Sequence, residues 1–243
     1  MTKKIPISEI FGPTVQGEGP LIGRPAVFVR TGGCDYRCAW CDTLYAVLPE
    51  HSDEWVPMTA SEILARVNDL TAGHPILVTL SGGNPALWSL EPLITLGRSQ
   101  GYHFALETQG SVAAPWFASL DWLVLSPKPP SSGTPMNWDA LDTCVGAAGD
   151  RTRSALKIVV FDDGDYDYAK SVARRYVGLP VYLQVGNPTP LIAANGEISE
   201  SASNDRLLDR LRWLIGRVTE DYWFDATVLP QLHVLTWGNR RGV

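Results

Sequence analysis

Six short runs rich in valine, isoleucine and leucine recur along the chain, at Ala26–Arg30, Ile76–Ser81, His103–Glu107, Trp122–Ser126, Leu156–Phe161 and Val181–Val185. They show little polar alternation, so both faces of each are expected to be covered, as in parallel strands packed between helices. Stretches of helical period separate most of them. Thr59-Ala-Ser-Glu62 opens one with a capping box, and Ala86–Ser99, Asp167–Tyr176 and Asn204–Val218 read as others. Strands alternating with helices imply right-handed βαβ units. The predicted fold is therefore α/β: an incomplete TIM-type barrel of about six parallel strands, with a flat doubly wound sheet as the alternative. In a barrel the chemistry sits where strands end, and Arg30, Ser81, Glu107, Ser126 and Gln184 stand at such ends. No repeat or linker interrupts residues 1–243, which read as a single domain.

A chain of 243 residues can bury a sizeable core, and 45% hydrophobic with 19% charged residues is ordinary for a globular protein. A net charge of −6 argues against binding a nucleic-acid backbone, although it leaves small anionic ligands open. Behind Lys3 and Lys4, Glu9, Gly12 and Pro13 interrupt any apolar run that a secretory signal would need, and no window suits a membrane span. A cytoplasmic protein with reduced cysteines is expected.

Three of the four cysteines fall in Cys34-Asp-Tyr-Arg-Cys38-Ala-Trp-Cys41, directly after the first apolar run and Thr31-Gly-Gly. Three thiolates on one tight loop can each hold one iron of a [4Fe–4S] cluster and leave the fourth iron open for chemistry. A structural zinc site would need a second pair of ligands, and none lies nearby. Cys144 is far away in a segment of helical character and reads as a small buried hydrophobe.

This spacing resembles the cluster motif of the radical S-adenosylmethionine (radical SAM) superfamily. Ser81-Gly-Gly-Asn-Pro85 resembles that superfamily's Gly-Gly-Glu-Pro element, with Asn84 in the glutamate position. Glycines there let backbone carbonyls approach the cofactor's amino group. Gln16 and Glu18, separated by a glycine, could clamp the N–H and C=O edge of a purine- or pterin-like ring. A guanidinium at Arg30 suits a substrate carboxylate.

Together with Glu107-Thr-Gln-Gly, Ser126-Pro-Lys-Pro-Pro, Gln184-Val-Gly-Asn and Trp237-Gly-Asn-Arg-Arg-Gly-Val, these elements resemble the 7-carboxy-7-deazaguanine synthase family over nearly the whole chain. The resemblance implies the radical SAM fold and a lyase of queuosine (7-deazapurine) biosynthesis. Such an enzyme converts 6-carboxy-5,6,7,8-tetrahydropterin to 7-carboxy-7-deazaguanine and ammonia, regenerating S-adenosylmethionine and using Mg²⁺. It implies substrate contacts from Val15, Gln16, Gly17, Glu18, Arg30, Ser81, His233 and the Val243 carboxylate. Thr43 would meet Mg²⁺. Gly83, Ser126, Pro127, Lys128, Gln184, Val185, Gly186 and Asn187 would form the S-adenosylmethionine site. A tail of about residues 226–243 would close over the pocket. No residue is assigned as acid or base; Glu18 and Asp42 are the candidates, and the role of Glu107 stays open. A flavodoxin-type electron donor and a homodimer are further family-level expectations.

Two other readings compete. Another radical enzyme, such as a glycyl-radical-enzyme activase, would share the cysteines but not the small-molecule cage. A non-catalytic iron–sulfur electron carrier would need a fourth thiolate, for which only Cys144 is left.

Overall fold

The computed structural model describes residues 3–187 and 200–243, with 200–203 described in backbone only. Among the described residues nine strands form one sheet: β1 (Ile5–Val15), β2 (Pro25–Thr31), β3 (Val56–Met58), β4 (Leu77–Gly82), β5 (His103–Thr108), β6 (Trp122–Leu125), β7 (Arg153–Val160), β8 (Val181–Val185) and β9 (Ala226–Leu229). Their order is β3-β1-β2-β4-β5-β6-β7-β8-β9. From β2 to β9 every pairing is parallel, which makes seven parallel strands. β1 and β3 join one edge antiparallel. The sheet does not close on itself, as in a partial barrel, and all six runs read from the sequence lie within or overlap its parallel part.

The seventh parallel strand, β9, is only Ala-Thr-Val-Leu, too short for its pattern to separate it from a loop. β1 escaped the sequence reading for a different reason. It contains Pro6, Gly12 and Pro13, residues that argue against a strand; it lies between β2 and the short β3, which pairs only with Ile5–Ile7, and it has register shifts against β2 between Ile7 and Glu9 and between Phe11 and Thr14.

The helices are α1 (Leu44–Val47), α2 (Ala60–Thr71), α3 (Glu91–Ser99), α4 (Trp138–Ala147), α5 (Asp163–Arg175), α6 (Glu200–Glu220) and α7 (Leu232–Trp237). The helix expected over Ala86–Ser99 is shorter. Residues Pro85–Leu87 form a 3-10 turn, and α3 starts at Glu91 with Pro92 in its first turn, where a proline's missing N–H costs nothing. α2 buries Ile63, Leu64 and Val67 against the sheet, and α5 buries Tyr166, Ala169 and Val172. Cys144 is fully buried in α4, as a small core hydrophobe should be.

The capping box is present. Glu62 N–H donates to Thr59 Oγ1 at 3.3 Å, and Thr59 N–H donates back to Glu62 Oε2 at 2.7 Å. Thr59→Ala should lower stability by about 1 kcal/mol, measured by urea unfolding. A variant as stable as the parent would mean that packing of Ile63 and Leu64 alone sets the start of α2.

Candidate active site

A cavity of about 260 Å³ opens at the C-terminal ends of the parallel strands. Its wall includes Cys34, Cys38 and Cys41 from the loop after β2, Ser81 and Gly83 after β4, Glu107 from β5, Ser126 and Lys128 after β6, Lys157 from β7 and Asn187 after β8. Val15, Gln16, Gly17 and Glu18 enter from the end of β1, Arg30 from β2, and Asp42 and Thr43 from the segment before α1. His233 and Val243 complete it from the C-terminal segment. Every residue expected to touch substrate, Mg²⁺ or the cluster thus lines one cavity. Of the expected cofactor residues, Gly83, Ser126, Lys128 and Asn187 line it, whereas Pro127, Gln184, Val185 and Gly186 are buried behind the wall. Gln184 spends its amide on the Leu229 carbonyl across β8 and β9, at 3.3 Å.

The cysteine loop is held from two sides. Gly33 N–H donates to Ala46 O at 2.8 Å, and Asn84 N–H donates to Gly33 O at 2.8 Å. At Gly83 a Cβ would sit 2.1 Å from Gly33 O, so the two loops can lie this close only with glycine there. Asn84 is fully buried. Its amide donates to Asp35 Oδ1 at 2.8 Å and to Ser111 at 3.1 Å, and it accepts from Thr108 Oγ1 at 2.8 Å. The side chain that replaces the superfamily's glutamate is therefore spent on tying the cysteine loop to the end of β5.

The donor set fits a [4Fe–4S] cluster with one open iron: three thiols share a loop, and no other cysteine reaches the cavity. Among the described residues, no group of three or more His, Cys, Asp or Glu side chains lies close enough to hold a metal ion as placed. Burial pushes the Cys34 and Cys41 thiols up, the direction a bound cation reverses. Beside them, Trp40 packs on Phe161 at 5.3 Å between centroids, Lys128 Nζ lies 5.8 Å from the Trp40 ring, and Lys128 donates to Ser126 Oγ at 3.1 Å.

At another part of the wall the Lys157 ammonium, 3% exposed, donates to both Glu18 Oε2 and Glu107 Oε1. Burial alone would raise the Glu18 carboxyl. The charges of Lys157 and His233 and the hydrogen bonds from Lys157 and Gln231 together outweigh it and hold the group at about 2. Burial alone would lower Lys157, and the two carboxylates hold it up instead. Glu18 therefore stays ionised. Gln231 Nε2 donates to Glu18 Oε1 at 2.6 Å, and Leu232 N–H donates to Gly17 O at 3.0 Å, so the C-terminal segment is bonded to the end of β1. A Cβ at Gly17 would lie 2.2 Å from His233 Nδ1, which explains the glycine: the imidazole packs on its backbone.

Lys157, Gln231 and Tyr45 also line the cavity and were not singled out from sequence. Lys157 carried a signal, because a lone cation inside a run of β-branched residues must find a buried partner.

No protein-family profile matches the chain. Among curated proteins it is similar to 7-carboxy-7-deazaguanine synthase of Bacillus subtilis, 44% identical with 100% of both chains covered. The Bacillus cereus enzyme of the same name is 41% identical over 99% of each chain, and that of Thermoplasma acidophilum is 31% identical over 98% of this chain and 99% of its own. Its fold is shared with QueE from Escherichia coli, at a TM-score of 0.68 and 24% identity with 95% of each chain covered. Streptococcus suis SuiB, solved bound to S-adenosylmethionine, shares the fold at a TM-score of 0.51 and 10% identity, over 84% of this chain and 47% of that one. With relatives of one name matching it along its whole length, the chain belongs to the 7-carboxy-7-deazaguanine synthase family.

Proposed function

We propose that this chain converts 6-carboxy-5,6,7,8-tetrahydropterin to 7-carboxy-7-deazaguanine with release of ammonia. The observation that carries the reading is that one cavity gathers three cluster-type thiols, the Arg30 guanidinium and two glutamates that share one lysine. When bound, the cluster and S-adenosylmethionine supply hydrogen-atom abstraction, and Mg²⁺ supplies a hard cation for oxygen ligands.

The protein's own residues bind and orient. Glu107, whose Oε2 makes no hydrogen bond among the described residues, and Glu18 accept from the N–H edge of the pterin, while Gln16, its Oε1 already accepting Glu18 N–H at 3.2 Å, has its amide N–H groups left for a ring carbonyl. Arg30 takes the substrate carboxylate through its terminal nitrogens. Val15, Gly17, Ser81, His233 and Val243 form the walls around the ring. Thr43 occupies the N-cap of α1 without using its hydroxyl to cap; that oxygen, 3.7 Å from Cys41 Sγ, is the one that meets Mg²⁺, with Asp42 beside it. Gly83, Ser126, Lys128 and Asn187 hold S-adenosylmethionine, and the buried Pro127 and Gln184–Gly186 stretch supports them from behind. Residues 226–243 act as the closing element of one catalytic domain. No helix is long and apolar enough to cross a membrane among the described residues. A flavodoxin-type donor, a homodimer and a cytoplasmic location belong to the same proposal, the last supported by the four free cysteines.

The test is anaerobic reconstitution with iron and sulfide, followed by dithionite, S-adenosylmethionine, Mg²⁺ and the carboxypterin, with products read by mass spectrometry. Formation of 7-carboxy-7-deazaguanine without matching consumption of S-adenosylmethionine is expected. Cleavage of the cofactor with the pterin untouched would remove the substrate assignment. Product formed equally well after magnesium is chelated would remove Thr43 from its role.

A further inference from the structure

Glu9 is not part of the cavity wall, yet it touches three of the segments that build it. It reaches them through an irregularity in β1. Ile7 pairs with Thr31 and Glu9 with Arg30, so two residues of β1 span one step of β2. Without that extra residue Ser8 would face Arg30, and Glu9 would lie opposite Val29 on the core side. The bulge turns the carboxylate to the cavity side. There Oε1 accepts from Arg30 Nε at 2.7 Å and from the Tyr45 hydroxyl at 2.9 Å, and Oε2 accepts from Arg241 Nε at 2.8 Å. The Arg241 guanidinium also lies 3.8 Å from the centroid of the Tyr45 ring, a close cation–π stack.

Arg30 makes no other hydrogen bond among the described residues. Held by its Nε edge alone, it keeps both terminal nitrogens for a ligand, in the fork that suits a carboxylate. Burial would raise the Glu9 carboxyl, but the Arg30 charge and the three donors outweigh it and keep it ionised. Arg241 is the outer member, with 45% of its side chain exposed, and it fastens the last residues of the C-terminal segment to β1, beyond the bonds that Gln231 and Leu232 make.

We propose that Glu9 is a positioning residue that does two things through one carboxylate: it aims the Arg30 guanidinium at the substrate's carboxylate, and it latches the C-terminal segment shut over the same ligand through Arg241. The aiming half rests on the substrate reading above; the latch half does not.

The experiment uses the reconstituted enzyme and two pterins, the 6-carboxylated tetrahydropterin and the same ring without its carboxyl group. A well-aimed charge-assisted pair contributes about 1.5–3 kcal/mol. Glu9→Gln is therefore expected to weaken binding of the carboxylated pterin by roughly tenfold to a hundredfold while leaving the carboxyl-free ring within about twofold of the parent. An equal loss for both ligands, or none, overturns the aiming role. The latch is read separately, by limited proteolysis with the cut sites located by mass spectrometry. Release of residues beyond Trp237 should be faster in Glu9→Gln and in Arg241→Gln than in the parent, and a parental rate in Arg241→Gln overturns the latch. Should Glu9→Gln fail to fold, Arg241→Gln still tests the latch and Tyr45→Phe, which removes one donor to the same oxygen, still tests the aim by the same comparison of ligands. If the parent binds neither pterin the substrate reading and the aiming role fall together, and the proteolysis still decides the latch.

Discussion

Replacing Lys157 with methionine is expected to cost the fold up to about 3–5 kcal/mol, because it leaves two partly buried carboxylates without their counter-ion. Lys157 is the only cation that touches both Glu18 and Glu107 among the described residues, and its side chain is 4% exposed. For a chain of this size that is a fall in Tm of roughly 6–20 °C, measured by calorimetry on the protein before cluster loading. The pH dependence carries the same signature. Glu18 has a lowered folded-state pKa, about 2 against an ordinary 4.5, so the unfolded chain binds its proton more readily between those values. Its contribution is fully present above about 4.5 and drains away as the pH falls toward about 2. In Lys157→Met the folded carboxyl rises, and the acid limb of the stability profile moves to higher pH. Adding Glu107→Gln to that variant should restore part of the loss, since one unpaired charge is then removed. A Lys157→Met protein within 1 kcal/mol of the parent would show that water, not the ammonium, carries these carboxylates.

Alanine at any one of Cys34, Cys38 or Cys41 is expected to take product formation and S-adenosylmethionine cleavage to background. Each thiolate holds one iron, and two ligands do not retain a cubane whose fourth iron has no protein ligand. Cys144→Ala is the control. Cys144 is fully buried in α4 away from the cavity, and its loss should leave iron content and turnover at the parental level. Iron and sulfide content measured beside activity separates loss of the cluster from loss of the fold. Full iron loading in Cys34→Ala would mean that another group reaches the cluster. Reduced iron in Cys144→Ala would bring back the reading in which a fourth thiolate closes it.

Much of this site could be read in advance because its chemistry is local in sequence. The cysteines, Ser81-Gly-Gly-Asn and Gln16-Gly-Glu each lie within a few residues, and the strand runs that carry the first two are apolar on both faces, so period and punctuation find those together. What stayed hidden is non-local. Lys157 and Glu18 are 139 positions apart, and nothing in Leu156-Lys-Ile-Val-Val160 names the partner its cation needs. Glu9 was read only as a break in an apolar run, because a bulge changes which face a residue occupies without altering its alternation in the sequence. Gln184 marks the opposite error. A polar residue at a strand end need not face the site, and this one is fully buried and donates to the neighbouring strand. β9 was missed because four residues are too few to show a period.

The joining of Glu9 to Arg241 spans 232 positions of a 243-residue chain. During synthesis the cysteine loop, the strands around it and the Glu18–Glu107–Lys157 group can all be outside the ribosome while residues 231–241 are still inside it. Contacts between such distant residues also form late, since the intervening chain must be ordered before they hold. The substrate chamber is thus the last part of the protein to acquire its shape, and cluster insertion has an interval in which the site is built but not yet covered.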